Sequence, residues 1–311
     1  MLTAEQQAIR RTGIGSSEIG AVVGVSRYSP IEVWRSKVEP DYVREDNPNF
    51  RRGRILEPAV AAWYAEETGA ELSEPGTIVH RKNKLVIATP DRIAHLAGQK
   101  RVLELKTAFH SGDWGEAGTD EVPMAYLTQV AWEMAAANID VADLAVLIGG
   151  HDFRIYHLSR DEDLERTLIE QAEEWWERHV VGGVAPEPDA SDEYSRWLTD
   201  RYPRQMTPLL QATPAVEQLV AELKDADLEL KRAALHASEV KNAMKALIGE
   251  AEGVQSTLGK ITWRSNKEST RVDWEDVALE LAAGSIPAEI LSKHSQTKPG
   301  ARVLRFPWSR E

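Results

Sequence analysis

Apolar residues recur along this chain with two periods, and the switches between them mark the elements. Leu56, Val60, Trp63 and Tyr64 fall on one helical face, which predicts a helix beginning near Glu57 with Pro58 in its first turn. A shorter helix is predicted over Pro30–Val38. Period-two or continuous apolar runs then predict strands over 77–80, 85–88 and 101–106. The last two are separated by a turn-like segment over 91–98, so the three read as a curved antiparallel meander.

Pro123 opens a helix with Leu127, Val130, Ala131 and Met134 as its buried stripe. Next come an apolar run over 144–148 and a strand over 153–158, joined through Gly149 and Gly150. Ser159 is positioned to cap a helix over 161–179, with Leu164, Leu168, Ala172 and Trp175 inward. The resulting order, αβββαββα, predicts an α/β (α+β) domain: a central mixed sheet flanked by helices. The stretch VAPEPDASDE at 184–193 breaks the pattern. We therefore expect a domain over 1–185, a linker over 186–213, and a helical arm with a small α/β extension over 214–311. Within the last, 214–249 is helical and charged, 274–283 reads as a helix, and 258–264 and 302–306 read as strands.

Composition narrows the chemistry. Of 311 residues 42% are hydrophobic and 28% charged, a globular balance. No run approaches a membrane span, and the start lacks the apolar core of a signal peptide, so a cytoplasmic protein without membrane contact is expected. With no cysteine, thiolate metal sites and iron–sulfur clusters are excluded. The net charge of −13 argues against a protein that coats nucleic acid. Distribution softens this: Arg51, Arg52 and Arg54 form one basic cluster, and Lys293, Lys298, Arg302, Arg305 and Arg310 form another without acids among them.

The segment ATPDRIAHLAGQKRVLELKTA, 88–108, carries the densest chemistry. Alternation puts Val102, Glu104 and Lys106 on one strand face, so a carboxylate and an ammonium stand side by side in a hydrophobic run. Asp91 is placed to supply a second carboxylate. Two carboxylates and a backbone carbonyl suit a hard octahedral cation such as magnesium, with manganese as substitute. Such an ion activates water and neutralises phosphate charge, while Lys106 orients or deprotonates that water. Glu57 is placed to complete the shell, directly or through water. The short pattern alone favours a plainer assignment, an ion pair on a sheet and an aspartate capping a turn. What shifts the balance is that matching pieces follow in order. GIGSSEIG gives a glycine-rich turn entering a helix, where N–H groups and a hydroxyl can receive a phosphate and Arg10 or Arg11 adds charge, or where a serine merely caps the helix.

The segments RRTGIGSSEIGAVVGVSRYSPIEVW, GRILEPAVAAWYAEETG, TPD, LELK and PMAYLTQVAWEM together resemble the YqaJ-type viral recombinase family, related to the lambda exonuclease within the PD-(D/E)XK nuclease superfamily. The resemblance covers residues 10 to about 180. It implies a restriction-endonuclease-like core and a magnesium-dependent nuclease of phage or prophage recombination and repair. Such an enzyme degrades one strand of double-stranded DNA from a phosphorylated 5′ end, commonly as a ring-shaped homotrimer that feeds a single-strand annealing protein. It further implies that Asp91, Glu104 and the Leu105 carbonyl hold the metal, that Lys106 serves the attacking water, and that Glu57 is the upstream acid. Tyr126 and Gln129 match a Tyr-x-x-Gln pattern beside the metal. Arg11, or Arg10, with Ser17 would grip the 5′ phosphate, and Thr89 is a further phosphate contact. Trp175, Trp176 and His110 are expected to serve packing or a loop. A structure-specific or single-strand endonuclease with the same site, and a DNA-binding assembly module, are the competing readings.

Overall fold

The computed structural model describes residues 4–44, 46–265, 273–282 and 285–295. It divides into two compact units, Met1–Arg201 and Tyr202–Glu311. The strand expected over 302–306, and Lys298, Arg302, Arg305 and Arg310, lie outside the described residues.

In the first unit the helices are α1 (Ala4–Arg10), α2 (Ser16–Val22), α3 (Pro30–Val38), α4 (Pro48–Thr68), α5 (Met124–Ala137), α6 (Glu162–Trp175) and α7 (Asp192–Arg201). The strands are β1 (Ile14–Gly15), β2 (Glu71–Ser73), β3 (Ile78–Val79), β4 (Val86–Ala88), β5 (Arg92–Leu96), β6 (Gln99–Ala108), β7 (Val141–Ile148) and β8 (Asp152–Ser159). Five strands form a mixed sheet in the order β2-β5-β6-β7-β8. Only β6 and β7 run parallel, and α5 is the crossover between them. The predicted mixed sheet flanked by helices is present.

Three strand expectations change. The segment 91–98 is not a turn: 92–96 forms β5, paired with β6 through a tight hairpin. Ala97 and Gly98 both take positive φ, 51° and 80°, the backbone a two-residue hairpin turn requires. The meander also splits. β3 and β4 join the short β1 in a separate three-stranded sheet, while β5 and β6 belong to the large one. β1 and β2 were not foreseen.

Helix α4 begins nine residues before the expected start. Asn47 caps it, its side chain accepting from the N–H groups of Asn49 and Phe50, and Pro58 lies inside it. An interior proline costs a helix about 3 kcal/mol. Packing offsets this, because Val60, Ala61 and Tyr64 are buried against Leu103 and Leu105 on one face of β6. The other face of the sheet, from Val102, Leu144 and Val146, packs on Val130 and Met134 of α5. Each sheet face is thus covered by one helix.

The expected linker also divides. Tyr194 and Trp197 of α7 are buried in the core with Trp34, whose ring meets Trp197 edge-on at 5.9 Å. Ser29 donates to Asp189. Residues 186–201 therefore belong to the first unit, and the break follows Arg201.

The second unit contains α8 (Pro214–Ile248), a hairpin of β9 (Gly253–Ser256) and β10 (Gly259–Thr262), α9 (Trp274–Leu281) and α10 (Ala288–His294). The expected helical arm is thus one continuous helix.

One buried contact ties α4 to the sheet. Asp143 of β7 is fully buried; it accepts from the Tyr64 hydroxyl and from Arg101 Nη2 at 2.7 Å, and His157 Nδ1 lies 2.7 Å away. Tyr64→Phe removes one donor from a carboxylate that water cannot reach. It is expected to destabilise the first unit by about 1–3 kcal/mol, measured by urea unfolding.

Candidate active site

The strand β6 carries the charged pair into the core. Glu104 is 3% exposed, and its Oε1 accepts from Lys106 Nζ at 2.5 Å. Asp91, in the connection from β4 to β5, meets the same strand: its Oδ2 accepts from the Leu105 N–H at 2.9 Å. The three side chains predicted to converge do so. With Leu105 and Thr107 they line a cavity of about 120 Å³, closed on one side by Gly53, Glu57 and Val60 of α4.

Helix α5 supports the charged pair. Gln129 bridges the pair, its Oε1 accepting from Lys106 Nζ at 3.1 Å and its Nε2 donating to Glu104 Oε1 at 2.6 Å. The Lys106 ammonium also stands 5.0 Å from the centre of the Tyr126 ring. Tyr126 in turn stacks on Trp114 at 5.4 Å. The i, i+3 spacing of Tyr126 and Gln129 does put both against the lysine.

Charge in this pocket is unbalanced. Burial, reinforced by the negative charge of Glu104, holds the Asp91 carboxyl well above its ordinary pKa. Burial works against the Lys106 ammonium, but Glu104 and Asp91 outweigh it and raise its pKa. Lys106 is therefore a firm cation here. Glu133 adds a third buried carboxyl group. It accepts from Gln129 Nε2 at 3.1 Å, and burial followed by the Glu104 charge raises its pKa well above normal. Sequence reasoning missed it. The available signal was an acid four residues after Gln129, inside the otherwise apolar stripe Val130, Ala131, Met134.

Two atoms reveal what the arrangement can hold. Glu104 Oε2 and Glu133 Oε2 are buried without a hydrogen-bond partner. An orphaned carboxylate oxygen beside a second carboxylate whose ionisation is resisted by burial fits a divalent cation. Among the described residues no three Asp, Glu or His side chains close into a complete cage. Two carboxylates and a carbonyl, with water completing the octahedron, is the donor set a magnesium ion takes. Glu57 borders the cavity, but its Oε1 accepts from Arg92 Nη1 at 2.9 Å. That ion pair orients it at the rim. Arg92 was not foreseen.

The glycine-rich turn brings one of the two candidate arginines to Ser17. Arg10 Nη2, not Arg11, donates to Ser17 Oγ at 2.9 Å, while Arg11 Nη2 donates to the Pro40 carbonyl. Of the two arginines, the structure thus places Arg10, at the end of α1, beside Ser17. A Cβ at Gly15 would lie 2.8 Å from Arg10 Nη2, so the end of that side chain would have to shift. Glu18 Oε2 accepts from the Gly15 N–H and from the buried Lys37 ammonium, both at 2.7 Å. Burial opposes the Glu18 charge, but Lys37 and Arg10 prevail and lower its pKa. Thr89 pairs its hydroxyl with Thr77 at 3.1 Å. Trp175 is core, as expected.

Known proteins place this geometry in context. The uncharacterized protein YqaJ of Bacillus subtilis (strain 168) is 27% identical over 251 residues, covering 78% of this chain and 77% of that protein. An alkaline exonuclease from Laribacter hongkongensis is 18% identical, covering 64% of this chain and 98% of its own, with a TM-score of 0.47. A phage related exonuclease from Haemophilus somnus 129PT is 14% identical, covering 57% and 99%, with a TM-score of 0.41. Residues 5–140 match the YqaJ-like viral recombinase domain. That matched segment, which holds Arg10, Ser17, Asp91, Glu104, Lys106 and Gln129, is similar to the YqaJ-like viral recombinase domain.

Proposed function

We propose that this chain is a magnesium-dependent exonuclease that hydrolyses one strand of linear double-stranded DNA from a phosphorylated 5′ end. The observation that carries the proposal is the half-buried Asp91 and the buried Glu104, the latter with an orphaned oxygen, beside the Lys106 ammonium in one cavity. Asp91, Glu104 and the Leu105 carbonyl are the groups to hold the cation. When bound it supplies the acidity that ionises water at neutral pH and offsets phosphate charge.

The chain's own residues do the rest. Lys106, kept protonated by its acidic neighbours, donates to the attacking water or a phosphate oxygen and stabilises charge that develops there. Gln129 fixes both Lys106 and Glu104 through one amide, and Glu133 fixes that amide through its second N–H. Arg10 and Ser17 grip the terminal phosphate, so that only an end carrying this group is seated for cleavage. Work in the host cytoplasm, assembly as a ring-shaped trimer and delivery of the exposed strand to an annealing protein belong to the same proposal; the family resemblance supports them.

Three tests follow from the site. Lys106→Ala is expected to slow digestion of an end-labelled linear duplex by about 10²–10³-fold or more, with the far-ultraviolet circular dichroism spectrum unchanged. Undiminished digestion removes the lysine from the chemistry, and cutting of a covalently closed circle replaces the exonuclease with an endonuclease.

Arg10→Ala is expected to erase the preference for 5′-phosphorylated over 5′-hydroxyl duplexes, while Arg11→Ala retains it. Rates on the two ends for each variant decide between them, and loss of the preference only in the Arg11 variant would refute the assignment.

Asp91 and Glu133 both have pKa values raised on folding from ordinary values of 3.8 and 4.5. Each holds its proton more tightly in the folded chain. The stability this contributes is complete below those ordinary values and is lost as pH rises through the raised ones. Magnesium is expected to restore it: Tm should rise on adding the ion at pH 8, by an increment that shrinks toward pH 4, because the ligands must be deprotonated. At a hundredfold excess over its dissociation constant the ion stabilises by about 2.7 kcal/mol. Asp91→Asn should remove the increment; an unchanged Tm for the parent protein at pH 8 would sink the metal site.

A further inference from the structure

The 35-residue helix α8 opens at Thr213, whose side chain accepts from the Val216 N–H, and is exposed along almost its whole length. At about 1.5 Å per residue it is roughly 50 Å long. Its apolar side chains keep a strict seven-residue repeat. Val216, Leu223, Leu230, Ala237 and Met244 occupy one position of that repeat. Leu219, Ala226, Ala233, Val240 and Leu247 occupy the position three residues on. The repeat runs unbroken through the helix, the period that makes helices supercoil around one another.

This stripe faces water. Leu219, Leu230 and Leu247 are 63%, 69% and 83% exposed. Among the described residues the other helices of the unit, α9 and α10, have 8 and 7 residues, too few to cover it.

Charge selects the occupant. The first half of α8 carries Glu217, Glu222, Asp225, Asp227 and Glu229 against Lys224 alone. The second half carries Lys231, Arg232, Lys241 and Lys245 against Glu239 alone. A second copy laid antiparallel sets each acidic half on a basic one. A parallel copy would instead bring Glu222 toward Asp227 of its neighbour and stack like charge on like.

We propose that α8 pairs antiparallel with α8 of a second copy of this chain, forming a two-stranded coiled coil. A two-fold axis crosses the pair between residues 231 and 232. Leu230 then packs on Ala233 of the second copy beside the axis, Ala226 on Ala237, and Leu223 on Val240 further out. The inference does not rest on the nuclease reading. It concerns a surface of the second unit, and its test reads no enzymatic activity.

The absence of native cysteine makes the test clean. Three full-length variants are oxidised in dilute solution: Ala226→Cys, Ala237→Cys and the double variant. A disulfide needs Cα atoms about 4.4–6.8 Å apart. In the antiparallel pair residue 226 meets 237 of the other copy, and neither meets itself. The double variant should therefore shift on a non-reducing gel from 34.7 kDa to twice that mass, and each single variant should stay at 34.7 kDa. Adding Leu223→Glu and Leu230→Glu to the double variant should abolish the shift. Cross-linking of the single variants would reverse the orientation and overturn the proposal, as would a double variant that remains a monomer.

Discussion

The acidic centre depends on one shared ammonium. Lys106 is the cation within hydrogen-bonding distance of Glu104, and Asp91 and Glu133 press further negative charge on the same pocket. Three carboxyl groups around one positive charge, two of them buried, are unstable as three anions. The chain meets this partly by resisting ionisation of Asp91 and Glu133 and partly by leaving Glu104 Oε2 open to a cation. Gln129 lets the arrangement persist. Its amide offers an acceptor to the lysine and donors to two carboxylates, so it separates groups that would otherwise repel.

The fold supplies the rigidity that this balance needs. β6 lies third in a five-stranded sheet, paired with β5 on one side and β7 on the other, and neither face is open to water. The pleat therefore fixes which way Glu104 and Lys106 point. Helix α4 is pinned by the Tyr64–Asp143 contact, which holds the Gly53, Glu57, Val60 face over the cavity. Helix α5 is pinned from behind, where the Trp132 indole N–H donates to the Ile14 carbonyl at 3.0 Å. Ile14 starts the glycine turn that carries Ser17. One side chain thus couples the helix bearing Gln129 to the loop proposed to seat a phosphate.

What was legible in the sequence was the part governed by short-range geometry. A period of two forces Glu104 and Lys106 onto one face, and a charged pair inside LELK stands out because apolar strands exclude such pairs. Tyr126 and Gln129 became legible only through family likeness, since the spacing alone also describes an ordinary polar helix face. The misses share one cause, long-range packing that overrides local preference. Pro58 signals a helix start, yet Asn47 and the burial of Val60 and Tyr64 carry α4 through it. Residues 186–201 have linker composition, yet Tyr194 and Trp197 bury themselves beside Trp34. Arg10 and Arg11 cannot be told apart by composition; the turn after α1 decides which one reaches Ser17.

Local placement also answers the objection raised by a net charge of −13. Several surface acids are neutralised within the fold by arginines, as in Asp152 with Arg154 and Asp46 with Arg54. Beside the cavity the balance differs. Gly53 lines it, and Arg52 precedes that glycine on α4, with its guanidinium 3.7 Å from the centre of the Phe109 ring. Phe109 follows Lys106 by three residues and is largely exposed. At physiological ionic strength charges more than about 8 Å apart are largely screened. A phosphodiester approaching the mouth would therefore respond to Arg52 beside Gly53 and to Lys106 within, and only weakly to first-unit carboxylates beyond that range.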